Sequence, residues 1–202
     1  MDQTVTKDDC CTASETRDDN YDLIVVGAGS AGFSASITAA DAGKRVALIG
    51  HGTTGGTCVN VGCVPSTAMI RAAEAVHGGA SAARFPGVEP CDHAVDWGAV
   101  VQGTTDLVEE MRHKKYIDLL PAYKSVTYIE DGPARLVEGG VAVGGRVISA
   151  PRVLIATGSR PHLPAIEGID TVEPLDSTDL LTLPDRPESI LVLGGGYIGC
   201  EL

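Results

Sequence analysis

The stretch from Leu23 to Ile49 constrains the fold more than any other part of the chain. Leu23-Ile24-Val25-Val26 is short, rich in β-branched residues and free of polar alternation, as expected for a strand buried on both faces. The glycine-rich turn Gly27-Ala28-Gly29-Ser30-Ala31-Gly32 follows. Helix formers run from Ser30 to Ala42, and Gly43 stands where a helix C-cap belongs. Arg45-Val46-Ala47-Leu48-Ile49 reads as a second buried strand. Together these predict a βαβ unit in a parallel sheet, the context in which the glycines acquire separate tasks. Gly27 permits the tight turn, Gly29 lets backbone approach a pyrophosphate, and Gly32 lets helix and strand pack closely. Ser30 and Ala31 open the helix whose free N–H groups and positive end would meet phosphate.

Further along, helical patterns cover Ser66 to Val76 and about Trp97 to Leu120, the second ended by Pro121. Ser125 to Ile155 reads as several short strands broken by Asp131-Gly132-Pro133, Gly139-Gly140 and Gly144-Gly145, closing in Arg152-Val153-Leu154-Ile155-Ala156-Thr157-Gly158. Pro161 to Pro187 is rich in Pro and Asp and reads as a domain connection with a short helix around Ser177 to Leu181. Ser189-Ile190-Leu191-Val192-Leu193 then predicts a strand leading into a second dinucleotide turn, Gly194-Gly195-Gly196-Tyr197-Ile198-Gly199. A βαβ unit needs about 30 residues, so the second nucleotide unit is expected to be begun and not made before Leu202. The expected organisation is an acidic disordered tail over 1–20, a dinucleotide domain over 21–165, a connection over 166–188, and the first strand and turn of another nucleotide domain over 189–202.

Hydrophobic residues make up 44% of the 202, enough for a sizeable core, and the formal net charge is −12. An acidic surface repels nucleic acid and anionic membranes, so neither is expected as a partner. The first twenty residues lack a basic n-region and an apolar h-region, which argues against a signal peptide. A cytoplasmic setting follows, where a disulfide is more often catalytic than structural.

Among six cysteines, Cys58 and Cys63 stand out, in Gly55-Gly56-Thr57-Cys58-Val59-Asn60-Val61-Gly62-Cys63-Val64-Pro65. On a regular helix residues five apart are rotated by about 140° and rise about 7.5 Å. A disulfide requires Cα atoms within roughly 4.4 to 6.8 Å. The two could therefore join only across a distorted turn, which Gly62 and Pro65 allow. A nearby helix N-terminus is expected to lower a thiol pKa. From the residues alone three readings stand: a redox pair, ligands of a structural metal, or two small packing residues. His51, His77 and His93 show no paired spacing that would complete a metal site. Cys91 is expected in a loop, Cys200 in a small packing site, and Cys10-Cys11 in the acidic tail.

In family order, the turn at Gly27, the Gly-Gly-Thr-Cys run with Cys63, the Ala156-Thr157-Gly158 turn and Gly194 to Gly199 resemble the flavin disulfide reductases. Cys58 to Ser66, Met69-Ile70-Arg71-Ala72-Ala73 and Glu110 to Tyr116 are most similar to the mercuric reductase branch of that family. The resemblance implies a Rossmann-like α/β FAD-binding domain, a parallel sheet with helices plus an antiparallel β-meander, ending at the start of an NAD(P)-binding domain. It implies that NADPH reduces FAD, that FAD reduces a Cys58-Cys63 disulfide, and that the two thiols hold Hg(II) as a metal-ion substrate. Cys63 would face the flavin and Cys58 would meet the substrate. Gly56 and Thr57 would border the cofactor, Gly132 and Ala134 would contact its adenine end, and Ala156, Thr157 and Gly158 would pass close to it. Gly194, Gly196 and Gly199 would serve the NADP site, and the full-length form would be a homodimer. A dihydrolipoamide dehydrogenase-like enzyme and a non-catalytic FAD-binding fragment are the alternatives.

Two positions depart from the family pattern. Gly50 stands where an acidic residue usually binds the ribose hydroxyls, and Asp41 lies too early to replace it. Thr67 stands where a lysine usually lies near the flavin, which would leave a hydroxyl but no charge.

Overall fold

A computed structural model of the chain describes residues 20–202. The expected tail and the Cys10-Cys11 pair lie outside the described residues, apart from Asn20, which bridges to Ser149.

The first βαβ unit forms as its pattern requires. Strand β1 (Leu23–Val26), helix α1 (Ser30–Asp41) and strand β2 (Val46–Ile49) are followed by the short helix α2 (Gly56–Val61) and the long helix α3 (Cys63–Ala80). Gly43 takes φ +73 just beyond α1 and its N–H returns to the Ala40 carbonyl, the left-handed close of a helix. Helix α4 (Trp97–Lys115) is capped by Asp96, whose side chain accepts from the Ala99 N–H. Strands β3 (Val126–Ile129), β4 (Arg135–Val137), β5 (Gly140–Val143), β6 (Arg146–Ile148) and β7 (Val153–Ile155) complete the sheets, and helices α5 (Ser177–Leu180) and α6 (Tyr197–Glu201) follow.

The main sheet has order β3-β2-β1-β7 with every pairing parallel, and β4-β5-β6 form a separate antiparallel meander. Because strand side chains alternate, β1 and β2 supply both faces of the sheet. Ile24, Ala47 and Ile49 pack with Val141, Val143 and Ile148 of the meander. Val25, Val46 and Leu48 pack on the other face with Phe33 of α1, Val59 of α2 and Tyr116. This two-sided burial is why neither strand shows polar alternation. Among the described residues, no helix is long and apolar enough to cross a membrane.

Three expectations are corrected. Helix α4 stops at Lys115, where Tyr116 turns to φ −131, and Pro121 lies inside a following 3-10 turn, Ile117–Ala122. Proline's missing N–H and fixed φ are tolerated there because the turn has already left the α-helical ladder. Residues 189–193 form no strand, since no described strand pairs with them, and Leu191 is 86% exposed. Cys200 fills no packing site. It is exposed on α6, with its sulfur 3.5 Å from the Gly195 carbonyl. Cys91 lies in an exposed loop, as expected.

Candidate dinucleotide and thiol site

Strand order reverses direction around β1: the chain passes from β1 outward to β2, then returns to β7 on the opposite side. In open α/β sheets, ligands bind at such a switch point, outside the carboxyl ends of the strands. A cleft of about 630 Å3 opens there. Its walls come from the ends of β1, β2 and β7 and from the start of α2.

Local packing explains each glycine in the first turn. Gly27 has φ +116, and a Cβ on it would stand 2.1 Å from the Ala156 carbonyl oxygen. Its N–H donates to the Ile49 carbonyl, while Ala156 donates to Val26. Gly32 is buried rather than cleft-lining, and a Cβ there would sit 1.8 Å from the Gly27 carbonyl oxygen. Gly29 caps α1 without a side chain, and the first turn carries no acidic residue. That leaves the positive helix end open to an anion.

The thiol segment is docked against this turn by a second pair of glycines. Gly55 bridges to Gly29 and donates to the Ala28 carbonyl at 2.8 Å. Gly56 has φ +68, and a Cβ on it would lie 2.8 Å from the Gly29 Cα. Only glycine permits this approach, so Cys58 on α2 is held at the cleft wall. The helix breaks at Gly62 (φ −137, ψ −120), and α3 restarts at Cys63 with Pro65 in its first turn. This is the distortion that the Cys58-Cys63 spacing requires. Both are exposed free thiols.

The expected lowering of a thiol pKa does not hold for Cys58. Its hydrogen bond to the Cys63 side chain, then burial, then the charge on Cys63 push it above the ordinary 9.0. The Cys63 backbone N–H and the Lys115 ammonium pull the other way without prevailing.

The structure brings Gly27, Gly29, Ser30, Ala31, Gly50, Gly56, Thr57, Cys58, Ala134, Ala156, Thr157 and Gly158 to one cleft. Cys63, Thr67, Gly132, Gly194, Gly196 and Gly199 do not line it. Gly132 instead supplies a turn at φ +109 beside the lining residues Pro133 and Ala134. Two residues make contacts that lay beyond sequence reasoning. Asn60 donates to the Thr54 and Gly56 carbonyls and accepts from Arg112 of α4, bracing the thiol helix. Buried Ser66 donates to Glu201 at 2.7 Å, linking α3 to α6 across 135 positions. No local pattern marks either one.

A sulfur pair beside a glycine-built dinucleotide cleft defines a class of electron-transfer protein. Residues 21–202 match the pyridine nucleotide-disulphide oxidoreductases, and the chain belongs to that family. Among its relatives, mercuric reductase of Streptomyces lividans is 44% identical over 189 residues, covering 90% of this chain and 39% of the relative. Mercuric reductase of Lysinibacillus sphaericus is 42% identical over 186 residues, covering 92% and 34%. The solved HOCl-induced flavoprotein disulfide reductase RclA of Escherichia coli is similar at a TM-score of 0.73 and 31% identity, covering 90% of this chain and 38% of that one. The chain thus spans between about a third and two-fifths of the length of these relatives. The architecture is the Rossmann-like α/β fold of that family, a parallel sheet with helices plus an antiparallel meander.

Proposed function

We propose that this chain is the FAD-binding and thiol-bearing part of a cytoplasmic oxidoreductase that takes electrons from NADPH and delivers them to Hg(II). The observation that carries this reading is the position of Cys58, on the wall of the switch-point cleft with Cys63 beside it. The naming of the relatives as mercuric reductases supports the metal-ion substrate.

The residues present fit a flavin dinucleotide. Gly27 and Gly29 leave room for backbone to approach a pyrophosphate, and the uncapped start of α1 at Ser30 and Ala31 offers N–H groups to it. Ala134 would border one end of the cofactor, with Gly56, Thr57, Ala156, Thr157 and Gly158 on the remaining walls. Bound FAD supplies two-electron chemistry between a reduced nicotinamide and the cysteine sulfurs.

Cys58 and Cys63 then have two tasks. As a disulfide, the pair takes two electrons and two protons to give two thiols. As thiolates, they bind a soft cation well. In the net reaction NADPH and Hg(II) give NADP+, a proton and Hg(0). The family resemblance assigns Cys63 to the flavin side and Cys58 to substrate; of the two, Cys58 is the one that lines the cleft. The whole protein would act as a homodimer.

The test is NADPH oxidation by the whole protein with Hg(II) and, separately, with lipoamide. Faster turnover with Hg(II) is expected. Preference for lipoamide would assign the same thiols to a dithiol substrate and overturn the mercury reading.

A further inference from the structure

Beside Gly50, the carboxyl end of β2 carries an arrangement that the glycine turns do not account for. In dinucleotide folds this position commonly holds an acidic side chain that binds a ribose hydroxyl. Here a Cβ on Gly50 would lie 2.3 Å from the Tyr128 hydroxyl oxygen and 2.8 Å from the ring carbons behind it. The space a side chain at position 50 would enter is therefore already filled from β3. Tyr128 is fixed by packing and hydrogen bonds. Its ring lies 6.4 Å from Phe33, its hydroxyl donates to Glu130 at 3.1 Å, and Thr54 shares a 2.8 Å hydrogen bond with that hydroxyl. Burial, the leading cause, holds the Tyr128 phenol above its ordinary pKa, so the hydroxyl stays a proton donor.

We propose that Glu130, oriented by Tyr128, supplies from just beyond β3 the ribose-binding carboxylate that β2 lacks. Gly50 lines the cleft, as do Gly52 and Thr53 just after it and Pro133 and Ala134 on the meander side. Tyr128 and Glu130 do not themselves line the cleft; Glu130 directly follows Ile129, the register partner of Ile49, which sets it beside the cleft-lining Gly50. Glu130 is exposed and spends one contact on Tyr128, which leaves acceptor positions for the hydroxyls of an adenosine ribose. The acid thus moves from the end of β2 to the position just past its neighbour β3, where the register sets it next to Gly50. This inference rests on the dinucleotide reading of the cleft and deepens it.

The test compares binding of ADP and 2′,3′-dideoxy-ADP to the chain by calorimetry, in wild type, Glu130→Ala and Tyr128→Phe, with FAD binding measured in parallel. Wild type should favour ADP by roughly tenfold, the scale of one charge-assisted hydrogen bond. Glu130→Ala should reduce that preference toward unity, while its far-ultraviolet circular dichroism stays unchanged. Tyr128→Phe should reduce it in part. A preference retained in Glu130→Ala would overturn the assignment while leaving the dinucleotide cleft intact, as would equal binding of both nucleotides by wild type. Failure of wild type to bind either ADP or FAD would sink the cleft reading itself, and this inference with it.

Discussion

At the scale of single residues, the chemistry turns on how Cys58 is held. Its proton is shared toward Cys63, and burial adds to the effect, so alkylation of Cys58 should rise through a midpoint above 9.0. Cys63→Ala removes the leading cause of the raised pKa, and the midpoint should then fall. Lys115→Ala removes a charge that favours the thiolate, so the midpoint should rise further. Mass-spectrometric alkylation across a pH series checks both signs; a midpoint indifferent to Cys63 would contradict the geometry. The spacing of Cys58 and Cys63 made the need for a broken helix legible, because that requirement follows from helix geometry alone. The raised pKa was not legible. It depends on which partner occupies the thiol's remaining space, and the sequence-based expectation weighed only the helix terminus. Glu130 and Glu201 were hidden for the same reason, since each acquires its partner through tertiary packing.

At the scale of elements, the βαβ unit was readable because period, glycine placement and length all agreed. Its close packing gives a direct prediction. Gly32→Ala puts a methyl 1.8 Å from the Gly27 carbonyl oxygen, so α1 and β1 must separate. Overpacking of this kind costs about 1–3 kcal/mol, and thermal melting should fall by about 5 °C. Asp96→Ala removes the side chain that accepts from Ala99 and should cost about 1 kcal/mol in a denaturant titration. The end of α4 was harder to read. Pro121 is the obvious breaker in the sequence, but Tyr116 leaves the helix first. Tyr116 packs edge-on against Phe33 at 4.9 Å and shares a 2.9 Å hydrogen bond between its hydroxyl and Ser30. That tertiary anchor outranks the local signal.

At the scale of the whole molecule, the fold divides into a two-faced sheet that builds the cleft and a segment after β7 that pairs with nothing in the sheet. Residues 189–193 have the composition of a strand, yet their side chains stay exposed because a strand forms only against a neighbour. This chain alone is expected to bind FAD weakly and not to turn over NADPH. Rapid bleaching of flavin absorbance on adding NADPH would contradict that expectation. The proposed chemistry requires that the cysteine pair exchange electrons with a flavin seated at the switch-point cleft. The most direct measurement is the absorbance spectrum of the FAD-loaded whole protein during anaerobic reduction. A long-wavelength charge-transfer band between the Cys63 sulfur and the flavin is expected in wild type and should be absent in Cys63→Ala. No such band in wild type, or the same band in Cys63→Ala, would contradict the claim.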